Sequence, residues 1–147
     1  MNYPKLLLPV FLGLVTGLLA LAVFQLIAPF VELAILGQSD VQGSVEIEQY
    51  LKDSTLMNLY FVFSWTVVVF LSAYLATRLA KERHKVAGLC SGGIYFLVFL
   101  ANFDLLQNQP LYYLIFLVTG AVALFIPSWI LSRKHAVKVR TSPVPDD

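Results

Sequence analysis

The chain has one cysteine and two histidines, too few for most metal or redox sites. Cys90 alone cannot form an intrachain disulfide, a CxxC redox pair or a cysteine-based zinc site. His84 and His135 lie in basic segments without a neighbouring carboxylate cluster, so they are poor ligands for a metal or a haem. We therefore expect no metal and no cofactor.

Motifs that carry enzymatic chemistry are also missing. The sequence contains no serine nucleophile motif, no phosphate-binding loop, no HExxH pair and no N-glycosylation sequon. We therefore assign no catalytic residue, and the sequence gives no support to an enzymatic function.

Charged residues are also few, and hydrophobic residues are correspondingly many. Charged residues make up 13% and hydrophobic residues 59% of the 147 positions, against about 25% and about 45 to 50% in soluble domains. Four apolar runs are long enough to cross a bilayer as helices, which takes roughly 20 residues each. They lack the alternation of barrel strands, and a helix satisfies its own backbone in lipid. The predicted spans are about 6–28, 56–80, 86–106 and 111–132.

These runs predict an all-α integral membrane protein, an antiparallel four-helix transmembrane bundle in a single domain over residues 1–147. The segment 37–55 is expected to be an external loop with a short amphipathic helix, capped by Ser44 and carrying a Glu48–Lys52 pair at i, i+4. Residues 133–147 form a basic cytoplasmic tail.

The distribution of lysine and arginine predicts the orientation in the membrane. Nine of the ten basic residues lie at the amino terminus, between spans two and three, or after span four, and only Lys52 lies on the other side. Positive residues favour the cytoplasmic side, so both termini are expected inside. We expect this inner surface to contact anionic lipids rather than nucleic acid; its main residues are Arg78, Lys81, Arg83, Lys85, Arg133 and Lys134.

The first span has features of a signal peptide. Lys5, the apolar stretch after it and the Ala20-Leu21-Ala22 triplet match that pattern. The apolar run continues well past Ala22, where a secreted chain would turn polar, so we favour a signal anchor. In size and hydropathy the chain resembles small four-span proteins of the bacterial inner membrane, which is the expected location.

Polar residues inside the apolar runs gather at one depth. Counted from Lys5 at 1.5 Å per residue, Gln25 lies roughly 30 Å and Glu32 roughly 40 Å along the helix, near or beyond the outer edge of a core about 30 Å thick. Pro29 predicts a kink near Gln25, and Gly37 predicts a helix stop. The candidate outer polar rim comprises Gln25, Glu32, Asn58, Asn102 and Asp104. The charge-free inner part of the spans argues against ion coupling.

Small residues recur at four-residue spacing in three spans. Such stripes allow close approach of helix backbones, either within one chain or between two copies, and we favour packing within the chain. The candidate packing residues are Gly13, Gly17, Ser72, Ala76, Gly88 and Gly92.

Together these features favour a non-catalytic accessory or regulatory membrane protein that binds a partner helix or a lipid. The partners considered are the bilayer itself, a second membrane protein and a second copy of the chain. The alternative is a small-solute or lipid transporter whose outer vestibule is the polar rim.

The predicted orientation can be tested with reporter fusions at Gln42, Glu82, Gln107 and the carboxyl terminus. Since basic residues favour the inner side, we expect external signals at Gln42 and Gln107 and internal signals at Glu82 and the tail. An external signal at Glu82 or at the tail would contradict the four-span topology.

Overall fold

The structure, a computed structural model, describes residues 4–37, 43–80, 84–101 and 110–140, with the backbone alone at 4–5, 44 and 131–140. These residues form five helices and no strand. The helices are α1 (Pro4–Leu36), α2 (Ser44–Asp53), α3 (Thr55–Leu79), α4 (His84–Ala101) and α5 (Pro110–Arg140). The prediction of an all-helical chain is confirmed over the described residues.

Four of these helices are long and apolar enough to cross a membrane. The stretches that meet both conditions are Leu6–Leu36, Thr55–Leu79, His84–Ala101 and Pro110–Ile130. Their lengths are 31, 25, 18 and 21 residues, and each reaches the roughly 17 residues that a membrane-spanning helix needs at least. The structure therefore supports an integral membrane protein with four membrane-spanning helices.

Helix α1 is longer than the predicted first span, because it continues through Pro29 to Leu36. A proline removes a single backbone donor, and here the following turns are held by other contacts. Ile35 is buried against the bundle, and the Gly37 amide donates to the Leu33 carbonyl oxygen at 2.9 Å. Packing of the last turn thus holds α1 helical after Pro29, and the helix ends at Leu36, next to the predicted stop at Gly37.

Helix α2 forms as predicted, but its amino-terminal cap differs. Gly43, not Ser44, occupies the cap position, and no side chain caps the helix. Gly43 has φ 129°, a backbone conformation that residues other than glycine rarely adopt. Ser54 is extended and is the only residue between α2 and α3.

Helix α3 is the centre of the fold. It contacts α1, α2, α4 and α5, and it carries most of the residues that are fully shielded from solvent. Val68, Val69 and Ala73 of α3 pack with Phe116 of α5 in the main core cluster. The remaining helices are arranged around this one.

Glycines allow the other helices to approach α3 closely. A Cβ atom at Gly92 of α4 would lie 2.8 Å from the Cβ of Ala73 and 2.8 Å from a methyl group of Leu124. At Gly13 of α1, a Cβ would lie 2.7 Å from the Ser72 carbonyl oxygen. These positions have no room for a side chain, so glycine sets the distance between the helices.

Gly92 and the adjacent Gly93 provide a matched test of this packing. Gly92→Ala is expected to destabilise the protein by about 1 to 3 kcal/mol, the usual cost of overpacking. Gly93→Ala meets nothing within 4 Å and is expected to be neutral or to stabilise by up to about 1 kcal/mol through helix propensity. Thermal unfolding in one detergent compares the two variants. Equal melting temperatures would contradict the role of Gly92.

Candidate functional site

The structure brings part of the predicted polar rim together at the α2 end of the bundle. Glu32 and Asn58 line the same cavity, and Gln25 lines an adjoining one. Asn102 and Asp104 lie outside the described residues. The site is therefore built from α1, α2 and α3.

The first cavity, here named the charged cavity, lies among these three helices. Its volume is about 250 Å³. The residues that line it are Glu32, Glu48, Leu51, Lys52, Met57, Asn58 and Phe61. Glu48 and Lys52 were expected to pair with each other, but no feature of the sequence indicated that they lie beside Glu32.

Asn58 connects α2 to α3. Its side-chain nitrogen donates to the carbonyl oxygens of Lys52 and Ser54, both at 3.0 Å. Because both partners are carbonyl oxygens, the amide must present its NH₂ group to them, and its own oxygen remains an acceptor. The buried Asn58 side chain (6% exposed) thus bonds the Lys52 carbonyl in the last turn of α2, and it adds a second bond to the Ser54 carbonyl, which also accepts the Asn58 backbone N–H at 3.0 Å.

The two carboxylates that line this cavity, Glu48 and Glu32, differ in their partners. The Lys52 ammonium lies 2.7 Å from the Glu48 carboxylate, and both side chains are largely exposed. This ion pair lowers the pKa of Glu48, first through the hydrogen bond from Lys52 and second through its charge. Glu32 is half-buried, and its carboxylate has no hydrogen-bond or ion-pair partner among the residues that the structure describes.

A second cavity, here named the apolar cavity, adjoins the first at Met57 and Phe61. Its volume is about 280 Å³. The other residues that line it are Leu21, Phe24, Gln25, Ala28, Tyr60, Ser64 and Trp65. The Tyr60 hydroxyl donates to the Phe24 carbonyl oxygen, and the Ser64 hydroxyl donates to the Tyr60 carbonyl oxygen at 2.9 Å. Those hydroxyl groups are satisfied within the protein, which leaves a mainly apolar wall.

Below Trp65 the interior is closely packed. The Trp65 ring meets the Phe99 ring edge-on, with centroids 5.5 Å apart, and Val68, Val69 and Phe116 pack in the same core cluster. These three side chains have no solvent exposure. The apolar cavity therefore ends at the aromatic layer.

Hydroxyl groups supply the polar contacts deeper in the bundle. Ser72 and Ser91 share a hydrogen bond of 2.7 Å, and Thr66 and Thr119 share one of 3.1 Å. Within the described ranges, every buried side-chain nitrogen or oxygen atom has a partner. The four-residue spacing of small residues identified Ser72 as a packing residue. Its hydrogen bond with Ser91 depends on how α3 and α4 are aligned, which only the fold determines.

The other candidate residues fall into two groups. The candidate packing residues are all buried between helices; they are Gly13, Gly17, Ser72, Ala76, Gly88 and Gly92. Among the basic residues, Arg78 and Lys85 are exposed, Lys81 and Arg83 lie outside the described residues, and Arg133 and Lys134 belong to the helical backbone of α5. The described part of the chain contains no group of three or more potential metal ligands.

The Glu48–Lys52 pair predicts a pH dependence of α2. Because the folded pKa of Glu48 is lowered from 4.5, the pair stabilises α2 above that pH, and this contribution is lost as the pH falls through the lowered value. Lys52→Gln is expected to raise the pKa of Glu48 toward 4.5. Carboxyl ¹³C NMR of the full chain in detergent measures it. An unchanged Glu48 titration in Lys52→Gln would show that the pair is not formed.

Comparisons with protein-family models, with curated proteins and with solved structures find no match for this chain. The interpretation of the site therefore depends on the geometry of its own residues.

Proposed function

We propose that this chain is a non-catalytic accessory or regulatory membrane protein, which acts by binding a lipid or the helix of a partner protein. The observation that carries the proposal is the contrast between two cavities at the α2 end and the packed interior beneath them. A binding protein needs a recess for its ligand, whereas a transporter also needs a path through the bundle.

The packed interior supports binding rather than transport. The layer of Val68, Val69 and Phe116 is fully buried directly below the aromatic residues that end the apolar cavity. The buried polar groups that surround this layer are hydroxyls paired within the protein, such as Ser72 and Ser91. Transporters and pumps place ionisable groups in their spans to carry ions or protons, and the described core residues include no Asp, Glu, Lys, Arg or His.

We further propose an antiparallel four-helix bundle in a bacterial inner membrane, with both termini cytoplasmic and α2 on the external surface. Only residues 80–83 separate α3 from α4. Four extended residues span at most roughly 14 Å, too little to return across a core about 30 Å thick, and this short connection supports opposite directions for the two helices. Helix α2 is short and carries exposed Val45 and Tyr50, which suits the membrane surface.

A transporter remains the second candidate, because the charged cavity resembles a vestibule. Glu32, Asn58 and Lys52 present polar groups at one end of the bundle, as an entrance for solutes would. The two functions differ in the role of the apolar cavity. In a binding protein it holds the bound molecule, and in a transporter it is the entrance of a pathway through the bundle.

Ala28→Phe provides the test, because Ala28 lines the apolar cavity and a larger side chain would fill it. Ala22→Phe is the matched control, since Ala22 is an exposed alanine on the same helix and lies outside this cavity. Each variant and the unaltered chain are extracted in a mild detergent, and co-purifying lipids and proteins are identified by mass spectrometry.

We expect the unaltered chain and Ala22→Phe to retain a lipid or a membrane protein that Ala28→Phe loses. Retention of nothing by the unaltered chain would overturn the proposal. Solute uptake into liposomes that contain the unaltered chain, blocked by Ala28→Phe but not by Ala22→Phe, would establish the transporter instead.

A further inference from the structure

The two cavities form an amphipathic recess with charges at one end and apolar walls at the other. Met57 and Phe61 line both cavities, so the two adjoin. Along α1 the recess runs from Glu32 to Leu21, roughly 16 Å at 1.5 Å per residue. The interfacial layer of one leaflet is roughly 5 to 8 Å thick. The recess is therefore long enough to reach from the headgroup layer into the hydrocarbon, as a phospholipid does.

The charged end of the recess contains an excess of hydrogen-bond acceptors. The carboxylates of Glu32 and Glu48 face a single cation, Lys52, which is already bonded to Glu48. The amide oxygen of Asn58 is a further acceptor, since its NH₂ group is occupied by two carbonyl oxygens. Within the described chain, neither Glu32 nor this amide oxygen has a donor. Among the described residues of the recess, Lys52 is the one cationic donor and it is bonded to Glu48, so a ligand with an ammonium group would supply the donor that Glu32 lacks.

A primary ammonium group fits these acceptors better than a quaternary one. A primary ammonium has three N–H donors, which Glu32 and Asn58 can accept. A quaternary ammonium has none and is recognised mainly by aromatic faces that surround it. Among the residues that the structure describes, Phe61 is the one aromatic side chain that lines the charged cavity, and a single ring does not make an aromatic cage.

Lys52 is placed to bind an anionic group of the same ligand. Its ammonium lines the same cavity as Glu32 and is exposed enough to contact a ligand. Lysine is a common phosphate binder. A headgroup that joins an ammonium to a phosphate would therefore match both charges, whereas a purely anionic headgroup would meet two carboxylates and gain only one cation.

We propose that the recess binds one phospholipid with a zwitterionic, primary-amine headgroup, phosphatidylethanolamine. Glu32 and the Asn58 amide oxygen hold the ammonium, Lys52 contacts the phosphate, and an acyl chain lies in the apolar cavity beside Phe24 and Trp65. This assignment rests on the proposed lipid-binding function and specifies its ligand.

The test compares lipid binding by the full chain and by two matched variants. Glu32→Gln removes the unpaired carboxylate of the cavity, and Glu46→Gln removes an exposed carboxylate on α2 that does not line it. The purified, delipidated proteins are titrated with phosphatidylethanolamine, phosphatidylcholine or phosphatidylglycerol of identical acyl chains. Native mass spectrometry measures the bound fraction, and thermal unfolding verifies that each variant is folded.

We expect the full chain to bind phosphatidylethanolamine about tenfold more tightly than the other two lipids, a factor that corresponds to about 1.4 kcal/mol. Glu32→Gln should lose this preference, and Glu46→Gln should keep it. On the unaltered chain, successive N-methylation of the headgroup should weaken binding stepwise as N–H donors are lost, a readout that needs no variant.

The outcomes separate this assignment from the proposed function. If the apolar cavity retains phospholipid, as judged by Ala28→Phe, but neither methylation nor Glu32→Gln changes the affinity, the headgroup assignment is wrong and lipid binding stands. Preference for phosphatidylglycerol would also overturn the assignment. If the unaltered chain binds no lipid and retains no partner protein, both the assignment and the proposed function fail.

Discussion

Close approach of helix backbones at α3 is the constraint on which the rest of this structure depends. In lipid, apolar side chains gain nothing by contacting each other rather than acyl chains, so helices associate through tight packing and hydrogen bonds. Ser72, Ala73 and Ala76 give α3 a surface of small residues, against which Gly13 of α1 and Gly92 of α4 lie without room for a side chain. The Ser72–Ser91 hydrogen bond adds a polar contact at the same level. These contacts set the helix spacing from which the cavities result.

The cavities lie where this close packing gives way to larger side chains. Toward α2, α3 presents Trp65, Phe61 and Met57 in place of small residues, and the space between α1 and α3 widens into the apolar cavity. Helix α2 lines the adjoining charged cavity, held by the hydrogen bonds from Asn58 to the carbonyl oxygens of Lys52 and Ser54. Two of the charged residues of the site, Glu48 and Lys52, thus come from a short helix positioned by one buried amide, and Glu32 comes from α1. This arrangement explains how a chain with 13% charged residues assembles a polar recess beside an apolar one.

The position of each residue along its helix could be counted from the sequence, but the direction of its side chain could not. Counting residues from Lys5 placed Glu32 near the membrane surface, and the structure has it at the end of α1 beside α2. The same count says nothing about which face of a helix meets which neighbour. The association of Glu32 with Lys52, and of Ser72 with Ser91, therefore had no signal in the sequence. The turns of α1 after Pro29 are a further case, because the buried side chain of Ile35 packs them against the bundle and no feature of the sequence indicated that contact.

By itself the sequence determined that the chain is helical and that four of its helices are long and apolar enough to cross a membrane. Both follow from composition and run length, since a backbone in lipid must satisfy its own hydrogen bonds. Only the tertiary structure decided which helix is central, how the glycines set the spacing and which polar residues share a cavity. Those properties depend on the rotation of each helix about its axis, which is fixed by packing against neighbours distant in the sequence.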